Sequence, residues 1–242
     1  MAITLPDATP ITIEPCSTPS LFLKIADVRR AVFGVTPLMK HLFQQDPASV
    51  ATEADAATGD EYPYQRTVVA LLPDQTVIGY GKWDEYLEPP IPFQEDTMGK
   101  AGNDPELYKI FPAPYNTDGD GTSNPALFNH FIACLARMRE PHVAGRLFFH
   151  VTVLGVHPNY QRLGIGKAML EHILERADQK GTDCYIEASP EGLGLYRKMG
   201  WEVIGQVIID LESWGGRKGV RITRTGMLRK PKKLCLAGRT SK

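Results

Sequence analysis

Between Leu147 and Ala168 the chain changes its period within a few residues. Leu147-Phe148-Phe149-His150-Val151-Thr152-Val153-Leu154-Gly155-Val156 is apolar and rich in β-branched and aromatic residues, His157-Pro158-Asn159 breaks it, and the pattern restarts through Gly164 and Gly166 with helical spacing. This is a strand, a tight turn and the start of a helix. Such a unit obliges the strand to lie inside a sheet and the helix to pack across it.

The turn is suited to an anion. The first amides of a helix have no intrahelical partner and sit at the positive end of its dipole, so they bind phosphate where nothing bulky blocks approach. Gly164 and Gly166 clear the approach, and Arg162 and Lys167 add positive charge. A P-loop would need glycine at 161 and a hydroxyl residue after the lysine, where Gln161 and Ala168 stand; a dinucleotide fingerprint would need a third glycine in place of Met169. Both are excluded.

The motif present is Gln-Arg-x-Gly-x-Gly-x-Ala, residues 161–168, directly after a strand. It is followed by Cys184-Tyr185-Ile186-Glu187-Ala188-Ser189 and by Leu195-Tyr196-Arg197-Lys198-Met199-Gly200-Trp201-Glu202. With these segments the sequence resembles the GNAT superfamily of acyl-CoA-dependent N-acetyltransferases, well over about residues 146–211 and loosely elsewhere. The resemblance implies an α/β (α+β) fold: a mixed, mostly antiparallel sheet of about six to seven strands flanked by helices and splayed between the strands at 146–156 and 184–189. It also implies acetyl-CoA as cosubstrate, with no metal.

The rest of the chain is consistent with one domain spanning 1–242. Ile11–Glu14 reads as a first strand, which the resemblance places at the sheet edge. Leu21, Ile25, Val28 and Val32 have helical spacing, and Gly34 and Pro37 break the stretch from Ser20 to about Leu42 into two short helices. Phe22, Phe33 and Phe43 in this region read as core, with lining of an acceptor pocket as the alternative. Thr67–Leu72 and Val77–Trp83 flank turn residues and predict a hairpin; the glycines around Tyr80 suit close backbone approach or a bulge.

Prolines at 89, 90, 92, 105, 112 and 114 exclude a long helix or central strand from 88–124. This stretch reads as an insertion folding over the acceptor side. Asp118-Gly119-Asp120-Gly121 is no calcium loop, because Ser123 stands at the usual glycine position and Asn129 at the usual glutamate.

Pro125 after Asn124 opens a helix whose face carries Leu127, Phe131, Leu135 and Met138 and which Pro141 ends. Gly181 terminates the helix that follows the phosphate loop. Ser189 is read as the cap of the next helix, with Pro190 in its first turn. Trp201–Leu211 and Val220–Met227 predict a closing hairpin around Gly215-Gly216, and 229–242, with Arg229, Lys230, Lys232 and Lys233, reads as a short solvated basic tail.

Charge excludes some partners. With 27 basic against 28 acidic residues the formal charge is −1, so no global field draws the chain to nucleic acid or a membrane surface. No signal-like apolar run is present, so a cytoplasmic location is the default. Cys16, Cys134, Cys184 and Cys235 form no Cys-x-x-Cys pair, which speaks for reduced thiols and against zinc. The chain is expected to act as a monomer or homodimer.

Acetyl transfer to an amine needs a held cofactor, an amine freed of its proton and an acid for the departing thiolate. Within the cofactor-binding loop Gln161, Arg162, Leu163, Gly164, Ile165, Gly166 and Lys167, the amides from Leu163 to Lys167 are expected to take the pyrophosphate. The resemblance places the pantetheine arm along Val153, Leu154 and Val156, and Ser189 where the family often has an asparagine bonding that arm. Tyr196 matches the family tyrosine that serves as general acid. For the base the residues leave Glu85, His150, Glu187 and a backbone carbonyl open; Glu187 is read equally as a base or as the buried partner of an arginine. The favoured acceptor is a small-molecule amine, with a protein or peptide amine, or a non-catalytic acyl-CoA sensor, as alternatives.

Overall fold

A computed structural model describes residues 3–34, 36, 64–87 and 125–232. Their strands are β1 (Ile3–Thr4), β2 (Pro10–Pro15), β3 (Gln65–Leu71), β4 (Val77–Tyr86), β5 (Phe148–Val156), β6 (Asp183–Ala188), β7 (Glu202–Asp210) and β8 (Arg221–Arg229). Their helices are α1 (Pro19–Phe33), α2 (Pro125–Val143), α3 (Ile165–Lys180) and α4 (Leu193–Lys198). The strands form one sheet in the order β1-β2-β3-β4-β5-β6-β8-β7, in which only the β5–β6 pairing is parallel. The sheet has eight strands because two-residue β1 pairs with β2, so β1 and not β2 takes the edge.

Side chains alternate across each strand, and both faces of the central strands are covered, which explains the unbroken apolar runs. Along β3, Val68 and Ala70 join the core beneath α3, whereas Val69 and Leu71 face α1. Met169, Leu170 and Ile173 of α3 are fully buried, each contributing roughly 1.5–3 kcal/mol relative to exposure. Gly79 serves close approach: a β-carbon there would lie 3.0 Å from Met169 Cε and 3.2 Å from the Gly155 carbonyl oxygen. α2 packs Leu127, Phe131 and Leu135 on Ile209, Leu211 and Ile222 of the β7–β8 region.

Several boundaries differ from expectation. α1 ends at Phe33, with the Gly34 amide on the Arg30 carbonyl; the second short helix, Phe43, the 88–124 insertion and Asn124 lie outside the described residues. α2 runs two residues past Pro141, and the Ala144 amide still bonds the Glu140 carbonyl at 2.9 Å. Ser189 caps no helix: its carbonyl accepts the Gly192 amide at 3.1 Å, making a turn, and α4 begins only after Gly192. Arg229 is not in a solvated tail. It closes β8, is 3% exposed, and forms a two-pronged ion pair with Asp178 of α3 at 2.8 and 2.9 Å.

No described helix is long and apolar enough to cross a membrane.

Candidate active site

The turn between β5 and α3 leaves its amides free. His157 donates its amide to Ile78, a short 3-10 turn covers Pro158–Tyr160, and the Gln161 amide bonds the Pro158 carbonyl. Arg162 (φ 65°) and Gly164 (φ 83°) then adopt the left-handed conformation, which turns successive N–H groups toward one side. The next paired amide is that of Ala168, on the Gly164 carbonyl at 3.0 Å. Among the described residues, the amides from Arg162 to Lys167 make no hydrogen bond.

The space above Gly164 is open, with nothing within 4 Å of an added β-carbon. A β-carbon on Gly166 would lie 3.6 Å from Val156 and 3.7 Å from Leu195, so the helix start sits over β5 and α4. Gln161 Nε2 donates to the Val156 carbonyl at 3.0 Å and ties the loop to the strand end. The side chain of Ile165 is core at 1% exposure, leaving only its amide for a ligand. Lys167 pairs with Glu171 at 2.5 Å on the surface, so among the described residues Arg162 is the loop cation not held by a carboxylate.

Beside this turn the sheet forks. β5 and β6 pair only from Phe148–Asp183 to Val151–Ile186, while β5 continues on β4 to Val156. A bulge opposite Lys82 and Trp83 leaves Thr152 without a register partner; its hydroxyl donates to the Lys82 carbonyl. The extra residue reverses which face follows: Val151 packs beneath α3, but Val153 packs on the α1 side and Leu154 and Val156 return to the α3 core. The stretch Val153–Val156, half-buried apart from buried Gly155, thus borders a strand edge that is unpaired among the described residues, the arrangement that can hydrogen-bond an amide-bearing chain. Phe33 covers it from α1, 3.3 Å from where a Gly155 β-carbon would be; Phe22 is core.

Tyr196 of α4 is buried at 5%, edge-on to Trp201, and its hydroxyl makes no hydrogen bond among the described residues. Burial alone pushes this phenol above its ordinary range. Ser189, expected on the pantetheine arm, is half buried, and its hydroxyl helps hold the Glu191 carboxyl below its ordinary value.

The three candidate bases separate by face. Glu85 lies on the α3 side, where Arg176 grips it through both oxygens and the Trp83 indole N–H donates to it. Burial opposes its charged form, but Arg176 outweighs burial and lowers its pKa. His150 and Glu187 lie together on the opposite face at the base of the fork, Nε2 to Oε2 2.6 Å, and Arg139 Nη1 meets Glu187 Oε1 at 2.9 Å. For Glu187, too, burial works against the charge, but His150 and Arg139 outweigh it and hold the carboxyl at about 2. The Tyr185 hydroxyl contributes to this field without meeting hydrogen-bond geometry. Asp84, in register with His150, is pushed upward by burial.

Arg139 escaped sequence reasoning, although a signal existed. The spacing Leu127, Phe131, Leu135 continues at its next step onto residue 139, which places a charge where a core residue belongs. An arginine at such a position requires a buried partner.

Residues 127–203 match the family model described as an acetyltransferase (GNAT) domain. N-alpha-acetyltransferase 50 of Danio rerio is 28% identical over 107 residues, which are 39% of this chain and 64% of that protein; the chain therefore spans less than two thirds of that relative's length. Mosquito arylalkylamine N-acetyltransferase like 5b superposes with a TM-score of 0.58 at 16% identity, covering 91% of this chain and 99% of that one. Histone acetyltransferase HPA2 and related acetyltransferase from Corynebacterium glutamicum gives 0.55 at 19% identity, covering 93% and 99%. At such identities the likeness is one of fold.

Proposed function

We propose that this chain, which carries a GNAT acetyltransferase domain, moves the acetyl group of acetyl-CoA to a primary amine. The observation that carries the reading is the row of unpaired amides from Arg162 to Lys167 beside the open β5 edge. A diphosphate fits the first, where the N–H groups and the dipole of the sixteen-residue α3 both favour negative charge. The amide-containing arm fits the second along Val153, Leu154 and Val156. When bound, acetyl-CoA supplies an activated thioester carbonyl.

The chain's own residues then manage protons. His150 takes the proton of the amine, directly or through a water, because Glu85 is committed to Arg176 on the other face and Glu187 is too weak a base. As the carbon–nitrogen bond forms and the carbon–sulfur bond breaks, Tyr196 gives its phenolic proton to the thiolate and is later reprotonated from solvent. Burial of Tyr196 favours this role by keeping the phenol protonated at neutral pH.

A small-molecule amine is the favoured acceptor, supported by Phe33 closing over Gly155 and by the aromatic content of 88–124. The similarity to N-alpha-acetyltransferase 50 favours a second reading, a peptide or protein amine. Isothermal calorimetry with acetyl-CoA, followed by free-thiol release with phenethylamine, spermidine and a peptide of free N-terminus, tests these readings. Turnover on one of them is expected. Binding without any turnover would point to a sensor, and absence of binding would remove the reading altogether.

A further inference from the structure

We propose that Arg139 and Glu187 are positioning residues that fix His150 in the tautomer protonated on Nε2, leaving Nδ1 to accept the proton of the incoming amine. The inference deepens the acetyl-transfer reading and, for its kinetic part, rests on it.

The geometry is that of an orienting chain. Val151 and Ile186 are the last register partners of β5 and β6, so His150 lies one residue before the fork opens and Glu187 one residue into it. Their side chains, 8% and 9% exposed, cross that point at 2.6 Å. An ionised carboxylate only accepts hydrogen bonds. Nε2 must therefore carry the hydrogen, and in a neutral imidazole the other nitrogen then holds the lone pair.

Arg139 fixes the carboxylate in turn. Its Nη1 takes Oε1 at 2.9 Å, which commits Oε2 to His150 and offsets a charge that would otherwise be buried with a single partner. The Tyr185 ring braces both neighbours: it lies 5.4 Å from the His150 ring and 5.7 Å beneath the Arg139 guanidinium.

His150 is faced by Asp84 from β4 and by Tyr185 and Glu187 from β6, while Arg139 of α2 bonds Glu187 and Tyr86 of β4 and Arg224 of β8 act on Glu187 through space. Two substitutions consequently have opposite signs. Arg139→Met leaves the Glu187 charge beside the imidazole less balanced. Glu187→Gln removes that negative charge.

The kinetic test is the pH profile of kcat/KM for the full chain with acetyl-CoA and whichever of the three amines above turns over fastest. The acidic limb is expected to move in opposite directions in Arg139→Met and Glu187→Gln, because one leaves the carboxylate beside the imidazole less balanced and the other removes it. Arg139→Lys is expected to restore the wild-type limb, and kcat to fall about ten-fold or more in the first two variants. Limbs that stay in place, or move the same way, would overturn the proposal and leave Arg139 a structural residue.

A second measurement needs neither turnover nor a folded variant. Nitrogen-15 NMR of the imidazole-labelled wild type, with the His150→Asn spectrum for assignment where it folds and fork-proximal nuclear Overhauser contacts where it does not, is expected to show His150 protonated on Nε2. Protonation on Nδ1 alone would refute the tautomer assignment outright. If no amine turns over, the acetyl-transfer reading falls, while this measurement still judges the His150 tautomer that the contact with Glu187 requires.

Discussion

The rings of Tyr196 and Trp201 meet edge to face, 5.7 Å between centroids at 64°. This contact holds the phenol by packing rather than by its hydroxyl, so the hydroxyl can be removed without disturbing the ring. Tyr196→Phe is therefore expected to leave the melting temperature and acetyl-CoA affinity near wild type while kcat falls about 10²-fold. Since burial raises the phenol, the wild type should also show no loss of activity from its ionisation below about pH 10. An unchanged kcat in the phenylalanine variant would remove Tyr196 from the chemistry.

Gly164 combines a left-handed backbone with empty space above it. Two substitutions separate these properties. Gly164→Ala should cost stability by about 1–2 kcal/mol, since an L-residue is strained at φ 83°, but should retain acetyl-CoA binding. Gly164→Glu adds a negative charge at the expected diphosphate site and should abolish binding in calorimetry. Equal affinities for the two variants would place the cofactor elsewhere.

Arg229 and Asp178 join the end of β8 to α3, and the Lys232 amide adds a third bond to the same carboxylate at 2.8 Å. With Arg229 only 3% exposed, removing its partner leaves a buried uncompensated charge. Asp178→Ala should destabilise the fold by about 3–5 kcal/mol, read as a lowered urea midpoint. A loss below 1 kcal/mol would mean that water reaches the guanidinium.

The acid limb of stability follows from Glu187. Its pKa in the fold, about 2, lies below the ordinary 4.5. A depressed carboxyl stabilises the fold above the unfolded value, and that contribution is lost as pH falls from about 4.5 toward 2. Urea titrations across this window should show stability falling in the wild type and a shallower fall in Glu187→Gln. Asp84 carries the opposite sign: raised by burial, it favours the fold at low pH and disfavours it as pH rises. Asp84→Asn should accordingly gain stability at neutral relative to acidic pH, and identical pH slopes in all three proteins would contradict both assignments.

Much of the architecture was legible because it is written in short-range chemistry. The switch from an apolar strand run to helical spacing at 147–168, the Gly181 terminus of α3 and the closing hairpin around Gly215-Gly216 are each set by neighbours within a few residues. The errors lay where local signals competed. Ser189-Pro190 looks like a cap followed by a first-turn proline, yet the chain uses it for a turn and starts α4 after Gly192. Arg229 looks like the head of a basic tail, yet an aspartate 51 positions earlier draws it into the protein.

The amino-acid order by itself determined the turn that exposes its amides, since the break at His157-Pro158 and the restart through Gly164 are properties of a dozen consecutive residues. Only the tertiary structure decided how the site closes: that β5 leaves β6 after Val151, that the bulge at Thr152 turns Val153 to the other face, and that Arg139 reaches Glu187 from 48 residues away. Those features arise from where separate elements cross. A buried charge finds its partner through packing in three dimensions, and periodicity along the chain records only that such a charge must be met.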